Sequence, residues 1–180
     1  MPRKHPKTLG PTGDPELLRH LSFDTSGFKV ANASEDSRNW LTPDGDRVGY
    51  QITKGKPHYP DTDSLDLLKG AFAPPRENSP IANEEFRLVP AAGQTAIWIV
   101  DRMTRKMMGN MCLIGSVQLP FQEGVASITV FCDLASPCAS QRVRAVLTRI
   151  VDTLQCDLAK IWRPYTLPVI TKGEQSSPTN

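Results

Sequence analysis

The chain has 180 residues, 39% hydrophobic and 22% charged, which fits one globular domain able to bury a core without disulfide or metal staples. A net charge of +2 is too small to argue for nucleic acid or an anionic membrane as partner. No apolar run approaches the roughly 20 residues that span a bilayer, and the basic start (Arg3, Lys4, His5, Lys7) has no apolar stretch behind it, so neither a membrane helix nor a signal peptide is read, which favours the cytoplasm.

Prolines crowd the first 15 residues, the stretch from Pro57 to Pro80 and the part after Trp162, which marks loops and ends. Residues 1–21 read as a flexible lead-in. Within it, Asp14-Pro15-Glu16-Leu17-Leu18 signals one turn of helix: a capping residue, proline at the first helical position, then leucines. From Phe23 to Val30 the pattern is extended, with Phe28 and Val30 on one face. In Trp40-Leu41-Thr42-Pro43-Asp44-Gly45-Asp46, proline presets φ and glycine supplies positive φ, which is turn chemistry. Beyond it Val48, Tyr50 and Ile52 alternate with Gly49 and Gln51, the second strand of a hairpin. Residues 53–62 are polar and proline-containing, hence loop. Asp63 caps a short helix, Ser64 to Phe72, which Pro74-Pro75 stops, and 75–84 reads as another loop.

Between Glu85 and Leu134 the sequence predicts strands at Phe86 to Val89, Thr95 to Met103, Asn110 to Leu119 and Val125 to Leu134. Their separators are short and carry turn residues. Strands joined this way are antiparallel neighbours, because a parallel pair needs a longer crossover. This is a β-meander, and its two central strands are apolar on both faces, which predicts cover on both sides. The period then changes. Val143, Val146, Leu147, Ile150, Val151 and Leu154 recur at spacings of three and four, with Arg142, Arg144, Arg149 and Asp152 on the other side. That is an amphipathic helix, about Ser140 to Cys156, capped by Ser136 or Ser140, and the meander is the nearest partner for its stripe. The expected fold is α+β: an antiparallel meander sheet, a long C-terminal helix packed on it, and a short helix between the first strands and the meander. The domain is placed at 22–162, with a flexible tail at 163–180.

The chemistry-bearing residues are dispersed. His5, His20 and His58 sit beside no serine or cysteine in a nucleophile motif. The cysteines Cys112, Cys132, Cys138 and Cys156 form no CxxC. They read as free, mostly buried thiols, with a Cys132–Cys138 disulfide left open. Asp44 and Asp46 lack the further oxygen ligands of a calcium loop. Asp61, Asp63 and Asp66 read as acids at a helix start, with a divalent-ion site as the alternative. Zinc spacings, a GxxxxGK[ST] loop and GxGxxG are missing, and Lys54-Gly55-Lys56 reads as a solvated basic loop. No catalytic residue, metal ligand or cofactor is assigned. Two stretches have the composition of protein contacts: the basic, methionine-rich hairpin carrying Arg105, Met107 and Met108, and Trp162-Arg163-Pro164-Tyr165. With Trp40 and Tyr59, the candidate contact residues are Trp40, Tyr59, Arg105, Met107, Met108, Trp162 and Tyr165.

The order of elements, from the aromatic strand at Phe28 to Val30 through W-x-x-P-D-G-D at Trp40 to Asp46 to the long last helix, resembles the PsbP-like α/β sandwich. The chain is also similar to uncharacterised bacterial proteins of the immunity or toxin-associated kind, where a turn like Pro43-Asp44-Gly45-Asp46 and a strand ending like Pro120-Phe121 recur. The resemblance covers about residues 23–156 and implies binding rather than catalysis. The expectation is therefore a non-enzymatic protein-binding module, in its sharper form an immunity protein that sterically blocks a secreted bacterial toxin. The alternative is a small enzyme or ligand-binding domain with a loop-cleft site at His58, Asp61, Asp63 and Arg76.

Overall fold

The computed structural model describes residues 15–34, 37–55, 64–72, 80–103 and 111–167. The chain opens on the one-turn helix α1 (Pro15–Leu18) and the short strand β1 (Leu21–Ser22). Then come β2 (Lys29–Ser34), β3 (Ser37–Leu41), β4 (Arg47–Lys54) and α2 (Leu65–Phe72). The meander is β5 (Ile81–Ala91), β6 (Gln94–Met103), β7 (Cys112–Pro120) and β8 (Gly124–Asp133). The helix α3 (Ala139–Thr153) follows, and β9 (Gln155–Cys156) pairs with β1.

The architecture is α+β. One seven-stranded antiparallel sheet runs in the order β2-β3-β4-β8-β7-β6-β5. The four meander strands are consecutive neighbours, as their short separators require. The first hairpin adds to the far side of β8 through an eight-pair ladder from Arg47↔Phe131 to Lys54↔Gly124. Gly45, at φ 86, allows the tight turn between β3 and β4, where Gly45 N donates to Thr42 O at 2.9 Å.

Helix α3 lies on one face with Val143, Leu147 and Ile150 fully buried against Leu113, Val117, Ile128 and Val130. Its approach to β7 is close. A Cβ at Gly115 would stand 2.6 Å from Leu147 Cδ1 and 2.7 Å from Val143 Cγ2. On the opposite face Leu68 of α2 joins Leu88, Ile97, Ile99 and Leu167 in a second cluster. Strand β6 is therefore buried on both sides: Trp98 and Val100 face α3, while Ile97 and Ile99 face the second cluster.

Four expectations need correction. Residues 81–84 are strand, not loop, because Ile81, Ala82 and Asn83 pair with Met103, Arg102 and Asp101, and a bulge at Glu84 accommodates the polar run. Helix α3 stops at Thr153, since Gln155 and Cys156 are held extended by β1. Its N-cap is Cys138 in the left-handed region at φ 58, not a serine, because Ser136 Oγ accepts from Arg142 Nη1 at 2.6 Å instead. Phe23 to Val30 is not one strand: Phe28 N donates to Thr25 O at 2.9 Å across a turn with Gly27 at φ 80, and β2 starts only at Lys29. Leu17, Leu18 and Leu21 are buried in the main core and Leu167 in the second cluster. All four thiols are free, Cys132 buried and Cys138 exposed.

Candidate functional site

The arginines on the outer side of α3 are tied down rather than solvated. Arg142 pairs with Asp46, whose side chain is only 2% exposed, through Nε at 3.0 Å and through Nη2. Arg149 holds Asp24 at 2.8 Å, donates to Ser26 O, and stacks over Phe28 at 4.8 Å. Arg144 reaches Glu85 at 2.8 Å and Glu84 at 3.8 Å. That double contact is a product of the bulge, which puts two successive glutamates within reach of one helix. Glu84 also holds Arg102, and Arg87 lies 4.2 Å over the Trp98 ring. One helix thus clamps the β1–β2 loop, the β3–β4 turn and β5, segments that are remote in sequence.

The titratable side chains nearest to catalytic types are pins. His20 Nδ1 lies 2.6 Å from Asp157 Oδ1, and Asp157 N donates to His20 O at 3.0 Å, which closes the β1–β9 pair. The hydrogen bond from His20 holds the Asp157 carboxyl below the ordinary carboxylate range. Burial, with Asp46 alongside, pushes the Cys132 thiol up to about 12, and burial likewise raises Cys112 and Cys156. This is the opposite of an activated thiolate.

The other end of the sheet is built differently. Directly paired residues share a face, so Val30, Trp40, Val48, Val130 and Gly115 form one row toward α3. Along that row cover runs out. Val48 and Val130 are fully buried, Trp40 is half-buried, and Val30 is 68% exposed. Trp40 stacks on Tyr50 with centroids 5.6 Å apart, and Phe23 meets both rings edge-on. Tyr50 in turn donates to Leu18 O at 2.9 Å, so α1 covers the inner part of the aromatic cluster. On the opposite face the row Lys29, Leu41, Arg47, Phe131, Ile114 crosses the same strands. Leu41 and Phe131 are 36% and 37% exposed there.

Among the contact residues read from sequence, Trp40 therefore lies at the margin of this exposed end. Trp162 and Tyr165 belong to a strap across the β7–β8 turn. Trp162 packs edge-on against Phe121 at 5.7 Å, Pro164 bridges to Phe121, and Tyr165 N donates to Pro120 O at 3.1 Å. Arg163 is held by Glu123 at 3.0 Å, and a Cβ at Gly124 would stand 2.2 Å from Thr53 O and 2.8 Å from the Trp162 ring. Tyr59, Arg105, Met107 and Met108, and likewise His58, Asp61, Asp63 and Arg76, lie outside the described residues. Sequence reading missed Val30, Leu41, Arg47 and Phe131. Phe131 carried a signal: it breaks the polar set Ser127, Thr129, Asp133 on its face of β8.

Among the described residues no group of three or more metal-ligating side chains converges, and no helix is long and apolar enough to cross a membrane. No family model matches the chain, and no curated protein matches it.

Proposed function

We propose that the chain is a non-enzymatic protein-binding module and that its partner contacts the β2–β4 end of the sheet. The observation that carries this reading is Val30, 68% exposed beside the half-buried Trp40. An apolar row continuous with the core that ends uncovered resembles the centre of a protein interface, where an aromatic anchor such as Trp40 is ringed by near-neutral contacts that exclude water. The narrower form of the proposal is an immunity protein on a PsbP-like sandwich, acting in the cytoplasm and blocking a secreted toxin sterically.

The test is affinity purification from the native host with the wild type and with Val30→Asp. Val30 is exposed but lies in β2 opposite Trp40, so replacing it with Asp is expected to cost about 1 kcal/mol of stability. A specific protein retained by the wild type and lost by the folded variant supports the reading. Equal retention by both, or no specific protein at all, contradicts it.

A further inference from the structure

The row on the face opposite Val30 differs in kind from every other cationic region described above. Lys29, Leu41, Arg47 and Phe131 are consecutive register partners on β2, β3, β4 and β8, so they stand side by side in the order cation, apolar, cation, apolar. All four are exposed. Five other arginines are matched by carboxylates: Arg142 to Asp46, Arg144 to Glu85, Arg149 to Asp24, Arg102 to Glu84, Arg163 to Glu123. Among the described residues neither Lys29 nor Arg47 has an ion-pair partner.

The described acids nearest the row are Asp133, Asp46 and Asp44, and none of them forms an ion pair with Lys29 or Arg47. Asp133 accepts from Ala135 N at 2.9 Å, and Asp46 is buried against Arg142. The row is thus a pair of unmatched cations interleaved with uncovered apolar surface.

We infer that this row docks an acidic amphipathic helix of a partner protein. The inference rests on the protein-binding reading and adds the chemistry of the partner. Neighbouring strands are about 4.8 Å apart, so the two cations lie about 10 Å apart, as do the two apolar side chains. A helix rising 1.5 Å per residue repeats that distance about every seven residues. Carboxylates seven residues apart, with an apolar residue one turn after each, meet Lys29, Leu41, Arg47 and Phe131 in order. The two carboxylates supply the charges the sheet lacks, and the apolar residues cover Leu41 and Phe131.

The experiment is selection of a random 16-residue peptide display library on three proteins: wild type, Lys29→Glu/Arg47→Glu, and Lys29→Gln/Arg47→Gln as the milder variant, each with its thermal melt checked. Wild type is expected to enrich peptides richer in Asp and Glu than the starting library, with Leu, Ile or Phe between the acids. The enriched peptides are expected to bind the double Glu variant at least tenfold more weakly, and the Gln variant weakly as well. An enriched pool no more acidic than the library, no enrichment, or unchanged affinity for both variants overturns the inference. So does a concentration-dependent dimer in sedimentation that the same substitutions abolish, because the row would then be a contact between copies. If Val30→Asp still loses the host partner while the peptide selection fails, only this row is eliminated. If both fail, the protein-binding reading goes with it.

Discussion

The two ends of the sheet handle charge and apolar surface in opposite ways. Under α3, strands β7 and β8 turn Leu113, Val117, Ile128 and Val130 into a fully buried layer, and the helix's arginines are each matched by a carboxylate from another part of the chain. At β2–β4, apolar side chains emerge on both faces and Lys29 and Arg47 stand unmatched among the described residues. Buried polar and charged groups need partners. The α3 end satisfies that rule internally, and the exposed Lys29 and Arg47 at the β2–β4 end are not subject to it.

The largest expected effect comes from breaking the matched end. Asp46→Ala leaves the mostly buried Arg142 guanidinium without its carboxylate, and urea unfolding is expected to show a loss of about 3 kcal/mol. Gly115→Ala forces Leu147 and Val143 to give way, because its Cβ falls 2.6 Å and 2.7 Å from their methyls, and the same assay should lose about 1–3 kcal/mol. At the exposed end the comparison reverses. Lys29→Gln and Arg47→Gln are expected to change stability by no more than about 0.5 kcal/mol. A loss there as large as that of Asp46→Ala would mean these cations are structural.

The smallest effect sharpens the comparison through pH. Hydrogen bonds from Ser26, with Arg149 beside them, hold the Asp24 carboxyl at about 2, below its ordinary 3.8. A depressed folded-state pKa gives stability that is present above the unfolded value and is lost as pH falls through the folded one. The clamp between α3 and the β1–β2 loop should therefore release between about pH 4 and pH 2, visible as rising amide exchange at residues 24–28. Asp24→Asn is expected to remove that step. Asp157, lowered by His20, adds to the loss in the same direction at the β1–β9 pair.

Much of this fold was legible because it follows from periodicity and turn chemistry. The Pro43-Asp44-Gly45-Asp46 turn, the meander and the α3 stripe of Val143, Leu147 and Ile150 are local patterns, and the structure has each of them. The placement of β4 against β8 was not legible, because nothing in Val48, Tyr50 and Ile52 names the strand they pair with. The bulge at Glu84 and the corresponding extension of β5 were hidden by an Asn-Glu-Glu run that reads as loop. The arginines on α3 look solvated in a helical pattern, since their carboxylates come from residues 59 to 125 positions away. The exposed end was partly visible through Trp40, but Val30 and Phe131 look like ordinary strand residues until the register shows which neighbours stop covering them.

Hydrogen-exchange footprinting of the protein with its host partner bound is the most direct test. The account predicts slowed exchange in β2, β3 and the outer half of β4 and around Phe131, with α3 and the 162–165 strap unchanged. Protection confined to α3 or to that strap, with β2 and β3 exchanging as in the free protein, would contradict it.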